Sequence, residues 1–316
     1  MANHPSSFSR AVFHSKGSEL TLDDHISQYK LIDDDQQKFP VCPGQVVVGE
    51  IVEVNEGGGF KEGERVAAIL RNGALSEYVV AETTQLVKVD ENADAAELCV
   101  LAFNGTRLAA SFKNNVFEKD DLVCVHGEKG YARLAVEIVT KLFEHENLCL
   151  CTSDKTGSPK EYGVPQERFF LTNQGGIGKS LRKFGGARVV ICESLPRSAP
   201  ETSFADSVRA LAGTAIPNKH LDDLFAGCLD DARVVLLVLG DRALSIPTGE
   251  FVQRGLSVNG APYASHEVTN DVLERKGDLK VQVSRFPFTK KGVVDAWKAM
   301  EAGQWDAPVV VFGATH

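Results

Sequence analysis

Between Leu122 and Gly240 the chain repeats one pattern, a short apolar run followed by a turn and a segment of helical period. The runs are LVCVH, LCLC, RFFL, ARVVICE and ARVVLLVLG; the intervening segments are YARLAVEIVTKLF, KSLRKFG, FADSVRALAG and HLDDLFAGC. Apolar runs this short and this continuous suit strands buried on both faces, and their alternation with helices predicts a doubly wound parallel sheet. The expected span is 113–246.

The flanks read differently. GQVVVGEIVEVNEGGGF, ERVAAIL, ALSEYVVAE and LVKV are β-branched stretches broken by glycine, which predicts a compact antiparallel barrel or sandwich. Glu97 to Phe112 carries a helical pattern, and the tail from LSVNGAPY to VVVF has strand-like ends around two helices. The tail is expected to return to the first domain, giving one discontinuous domain of 1–112 with 247–316. With 316 residues and 43% apolar content the chain can fill both cores.

A net charge of −9 argues against nucleic acid or an anionic membrane, since such surfaces need clustered Lys and Arg. MANHPSSFSRAVF lacks a secretory pattern, and no window approaches a membrane-spanning apolar run. Seven cysteines, mostly inside apolar runs, read as reduced core thiols of a cytoplasmic protein. The acidic run at 33–35 reads as a solvated loop.

Chemistry concentrates where LVCVH meets its helix, in the turn HGEKGYA. A dinucleotide-binding turn uses one glycine for the bend, a second for backbone approach to the pyrophosphate, and a third for helix packing. Gly127 can serve first, Lys129 falls on the second and Ala132 on the third; a register using Gly130 leaves the turn one residue short. Lys129 reads two ways, as an ammonium for a phosphate or as a solvated lysine beside Glu128. NQGGIGKS, at 173–180, misses the phosphate-loop pattern by one residue, Asn173 standing for its first glycine.

GEIVEVNEGGGFKEGERVAAIL, GALSEYVVAETTQLVKV, NNVFEKDDLVCVHG with its preceding helix, and FPFTKKGVVDAWKAMEAGQWDAPVVV resemble, in order, the medium-chain dehydrogenase/reductase superfamily. YGVPQERFF is similar to the corresponding segment of fungal polyketide enoyl reductase domains and quinone oxidoreductases. The resemblance implies an α/β protein with a GroES-like β-rich domain, a Rossmann doubly wound parallel sheet domain, and a nicotinamide cofactor. Zinc-dependent members carry Gly-His-Glu where this chain has Gly44-Gln45-Val46, so no zinc is expected. The segment from Ala11 to Gly49 is roughly 20–30 residues shorter than its counterparts, in a domain whose loops carry function.

By the same resemblance Asn104 and Thr106 line the nicotinamide pocket, unless they merely cap their helix. Leu239, Gly240 and Asn259 lie beside the cofactor ring, and Tyr263 or His266 could act as acid or base. Ser153 and Lys155 follow LCLC as they do in NADP-preferring relatives, which implies NADPH. The stretch NQGGIGKS then becomes a surface connection. The implied activity is reduction of an enoyl or quinone-type bond in a small hydrophobic substrate, in specialised biosynthesis. A redox-silent isomerase, cyclase or lyase and a non-catalytic accessory subunit are the alternatives. A homodimer through the RGLSVNG region is a further implication.

Overall fold

The structure, a computed structural model, describes residues 8–12, 21–26, 42–54, 59–70, 72–115, 117–172, 176–192, 219–237, 248–261, 264–301 and 307–312. Their packing forms two compact units. One comprises Met1–Thr106, Ser265–Gly277 and Val281–His316, the other Arg107–Ala264 and Asp278–Lys280. The acidic run at 33–35 lies outside the described residues.

The first unit is β-rich. β1 (Phe8–Val12) pairs antiparallel with β2 (Thr21–Ile26), and β3 (Val46–Glu50), β4 (Arg65–Ile69) and β5 (Leu86–Lys88) form an antiparallel sheet in chain order. Ala68, Leu70 and Ala74 are buried against Val47, Val79, Ala81 and Leu86. ALSEYVVAE alternates like a strand yet is largely irregular, with a single bridge residue, Ser76, among the described residues. Its neighbourhood bonds locally instead, with the N–H groups of Gly73, Ala74 and Leu75 donating to the carbonyls of Cys42, Gly44 and Pro43 at 2.9, 3.1 and 2.9 Å. That contact needs glycine at 44, where φ is 96° and a β-carbon would lie 2.7 Å from the Leu75 nitrogen. Strands Ser284–Pro287 and Pro308–Val311 pair in parallel, and helix Lys290–Glu301 between them buries Val293 against Leu75, Phe288, Trp297 and Val310.

The second unit holds the expected parallel sheet. β6 (Leu122–His126), β7 (Leu148–Thr152), β8 (Phe169–Leu171), β9 (Ala187–Cys192), β10 (Cys228–Leu236) and β11 (Ser257–Gly260) are its described strands, in the order β11-β10-β9-β6-β7-β8. All pairings are parallel. Every residue of β6 and β7 is buried, as their unbroken apolar runs require. The sheet reaches past residue 246, because Arg233–Leu236 of β10 pairs with Ser257–Gly260 of β11 as an edge strand.

One face of the sheet packs Cys124, Cys149, Val190 and Val234 against Leu181, Leu224 and Phe225 of helices Ile177–Lys183 and Lys219–Ala226. The helices approach closely because Gly178 and Gly227 lie at their contact; a β-carbon on Gly178 would run into the Asp223 carbonyl oxygen. All seven cysteines are thiols. Burial pushes the Cys228 thiol up to about 12, so at neutral pH it is an apolar packing group and no nucleophile.

From β6 the chain proceeds to β7 and β8 on one side, then crosses to β9, β10 and β11 on the other. A doubly wound sheet takes its ligand at such a reversal, outside the carboxyl ends of the strands. Here those ends are His126 and Cys192, register partners with Nδ1 and Sγ 3.4 Å apart.

Candidate functional site

After His126 the chain turns through Gly127 and Glu128 into helix Lys129–Glu137. The Gly127 N–H donates to the Cys151 carbonyl at 3.0 Å, tying the turn to β7. Glu128 is extended, with φ −125° and ψ 148°, and its side chain makes no capping bond. The first-turn N–H groups therefore offer an anion the usual positive end of a helix.

Lys129 has φ 45°, in the left-handed region. A β-carbon there costs about 1–2 kcal/mol, and glycine would pay nothing. Lys129 thus stands at the second fingerprint position in a conformation that side chains rarely adopt, while Ala132, fully buried, is small enough for close helix packing. Gly130 is buried within the helix. The turn keeps Gly127 and a small, buried Ala132, and the unusual component is a lysine side chain between them.

The end of β7 faces this turn with a polar network. The Ser153 hydroxyl donates to the Glu128 carboxylate. Asp154 donates its N–H to Thr152 Oγ1 at 3.1 Å, and its carboxylate accepts from the Thr156 N–H and hydroxyl at 2.9 and 2.6 Å. It accepts also from the Tyr162 hydroxyl at 3.0 Å.

Tyr162 ends the short helix Pro159–Tyr162, started by a capping box between Ser158 and Glu161. It is 5% exposed. Gly157 makes room, since a β-carbon there would lie 2.6 Å from the tyrosine ring. Burial and the neighbouring Asp154 carboxylate push the phenol well above its usual value, so Tyr162 stays a neutral donor. Lys155 is exposed beside this network.

Burial raises the Asp154 carboxyl, but the bonds from Thr156 and Tyr162 outweigh it and hold the group below its ordinary value of 3.8. A carboxyl depressed by folding contributes stability that is complete above 3.8 and lost as the pH falls through the folded value. Asp154→Asn should therefore flatten the acid limb of a plot of melting temperature against pH, below about pH 4. An unchanged limb would remove Asp154 from the network.

The other expected site residues have varied surroundings. Thr106 is buried and its hydroxyl donates to the Ala102 carbonyl at 2.7 Å. It caps no helix start, because the helical stretch begins at Ala95 under Asp94, whose Oδ1 accepts from the N–H groups of Ala96 and Glu97 at 2.9 and 3.0 Å. Asn104 is half-buried on the π-helical turn Leu101–Gly105, an arrangement frequent at functional sites. His266 is exposed, with Nε2 2.6 Å from the Thr84 carbonyl, and so is set as a donor there. Asn259 is exposed on β11, 3.4 Å from the Ser257 hydroxyl. Leu239, Gly240 and Tyr263 lie outside the described residues.

The phosphate-loop stretch has its own answer. Residues 173–175 lie outside the described residues, but the Ile177 N–H that opens the following helix donates to the Asp223 carboxylate at 2.7 Å. A negative side chain thus stands where a phosphate would bind. Among the described residues no three His, Cys, Asp or Glu are grouped to hold a metal ion, and no helix is long and apolar enough to cross a membrane.

Residues 16–91 match the family model described as the alcohol dehydrogenase GroES-like domain. Among curated proteins the chain is 22% identical over 240 residues to the alcohol dehydrogenase patD of Penicillium expansum, covering 59% of this chain and 69% of the relative. It is 27% identical over 194 residues to the chloroplast envelope quinone oxidoreductase homolog of Arabidopsis thaliana, covering 58% and 59%. Among solved structures it is similar to a quinone oxidoreductase of Pseudomonas syringae pv. Tomato DC3000, with TM-score 0.73 and 15% identity over 96% of this chain and 99% of that one. A further likeness is to rspB of E. coli CFT073, a short chain alcohol dehydrogenase complexed with NADH, with TM-score 0.70 and 17% identity over 98% and 99%.

Proposed function

We propose that this chain is a zinc-independent, NADPH-dependent reductase of the medium-chain dehydrogenase/reductase superfamily, a reading supported by the GroES-like match over residues 16–91 and by the parallel sheet. Its substrate is a small hydrophobic molecule with an activated carbon–carbon double bond or a quinone, in specialised biosynthesis. The observation that supports this reading is the strand–turn–helix at His126–Lys129, where Gly127 makes the turn and a helix N-terminus opens beyond the carboxyl end of β6.

The residues divide the work. Gly127 and the N-terminus of helix Lys129–Glu137 receive the pyrophosphate, with Lys129 adding a point charge. Ser153 and Lys155 meet the 2′-phosphate, and Leu239, Gly240 and Asn259 border the nicotinamide. The bound cofactor supplies hydride; such chemistry asks of the protein mainly orientation, exclusion of water and a donor to the developing enolate oxygen. Asn104, Tyr263 and His266 are the candidate donors, His266 through Nδ1 because its Nε2 is given to Thr84, whereas the Thr106 hydroxyl is given to Ala102. Gly44-Gln45-Val46 supplies no zinc ligand set of the familiar kind. The cytoplasm suits a protein with all its cysteines as thiols, and the edge strand β11 suits a homodimer.

Titrating the purified chain with NADPH should quench or shift its tryptophan fluorescence and raise its melting temperature. If neither NADPH nor NADH does so, the redox reading fails. The second reading, an isomerase, cyclase or lyase on the same scaffold, is favoured by the Lys129 side chain in the turn. It requires turnover of substrate without nicotinamide.

A further inference from the structure

We propose that Tyr162 is a positioning residue for dinucleotide choice: its hydroxyl keeps the Asp154 carboxylate engaged within the protein, so that the site takes a 2′-phosphate in preference to a ribose hydroxyl. The inference rests on the nicotinamide-binding reading above and supplies a reason for the preference. In a doubly wound sheet the strand after the phosphate turn ends beside the adenosine ribose, where an acid selects the unphosphorylated cofactor through its 2′-hydroxyl. Here that strand is β7, paired with β6 through Cys151 and His126, and Asp154 stands just past its last residue, Thr152. By position alone, Asp154 favours NADH.

The hydrogen bonds decide otherwise. Asp154 Oδ1 accepts the Thr156 N–H and hydroxyl at 2.9 and 2.6 Å, and Oδ2 accepts the Tyr162 hydroxyl at 3.0 Å. A carboxylate offers about four lone-pair positions, so these donors leave little for a ligand. The Asp154 N–H is tied to Thr152 Oγ1 at 3.1 Å, which fixes the backbone as well. The phenol is itself held in place. Tyr162 is buried, its ring centroid is 5.8 Å from that of Phe169 on β8, and it packs where a Gly157 β-carbon would be. Glu128, the acid of the turn, is engaged by the Ser153 hydroxyl. A ribose hydroxyl must therefore compete with hydroxyls of the protein for both carboxylates.

Full-length parent, Tyr162→Phe, Asp154→Asn and the double variant should be compared in NADPH and NADH dissociation constants, measured by tryptophan fluorescence. The parent should bind NADPH more tightly. Tyr162→Phe releases Oδ2 and should lower the preference for NADPH about tenfold, chiefly by tightening NADH, the scale of one hydrogen bond to a charged acceptor. In the Asp154→Asn background the same change should alter the preference less than about twofold, because the effect runs through the carboxylate. Thr156→Val, at an exposed position, removes another donor to Asp154 and should shift the preference the same way by a smaller factor. It decides the matter if Tyr162→Phe does not fold, an unchanged preference then counting against the proposal.

A Tyr162→Phe variant that weakens both cofactors equally, or that shifts the preference alike in both backgrounds, overturns the proposal and leaves the tyrosine a packing residue. A parent that prefers NADH overturns it too, while the redox reading stands. If the parent binds neither dinucleotide, the functional reading itself fails and this inference falls with it.

Discussion

Phe225→Ala should cost about 3–5 kcal/mol of stability, a large share of the roughly 5–15 kcal/mol typical of a native protein. Phe225 is fully buried, its ring edge-on to Phe251 at a centroid distance of 4.9 Å and 87°. It sits in the cluster with Cys124, Leu181, Val190 and Val234 that closes one face of the parallel sheet. The loss belongs at the high end of such substitutions because the site cannot collapse. Gly178 and Gly227 already bring the two covering helices to closest approach, so the cavity stays open. Urea unfolding followed by circular dichroism would measure it; a loss under about 1 kcal/mol would mean that this face is not the packed core described.

Glu128→Gln should tighten NADPH binding about tenfold while changing NADH affinity less than about twofold. Ser153, the residue expected to meet a 2′-phosphate, donates its hydroxyl to the Glu128 carboxylate. A phosphate bound there faces that negative charge. Like charges about 5 Å apart at a half-exposed site repel by about 1–2 kcal/mol, which is about tenfold in affinity. Glutamine keeps the acceptor for Ser153 and removes the charge, so the sign is fixed by charge alone. Parallel titrations at low and high salt would test it, since screening should shrink the difference. Equal changes for both cofactors would place Glu128 away from the 2′ position.

The parallel sheet was legible because its strands bury both faces. LVCVH and LCLC are nearly unbroken apolar runs, and all ten residues of the strands they form, Leu122–His126 and Leu148–Thr152, are buried, as a parallel sheet covered on both faces requires. ALSEYVVAE misled for the converse reason: Val79 and Ala81 do reach the core, but from irregular backbone whose N–H groups find the carbonyls of 42–44. Alternation reports burial, and burial does not need a ladder. In the site, the place of the turn between strand and helix could be read from HGEKGYA. The polar network beside it could not, because it depends on the Tyr162 hydroxyl folding back eight positions onto the Asp154 carboxylate. Thr106 shows the same limit. A threonine after a glycine resembles a cap, whereas in the structure the helical stretch has already begun at Ala95 and the hydroxyl bonds backward.

The bare α-carbon of Gly157 has a consequence for how this lineage can vary. A β-carbon at 157 would lie 2.6 Å from the tyrosine ring, so a larger residue at 157 and a tyrosine at 162 exclude one another unless the ring shifts, and homologues that enlarge 157 should carry a smaller residue at 162.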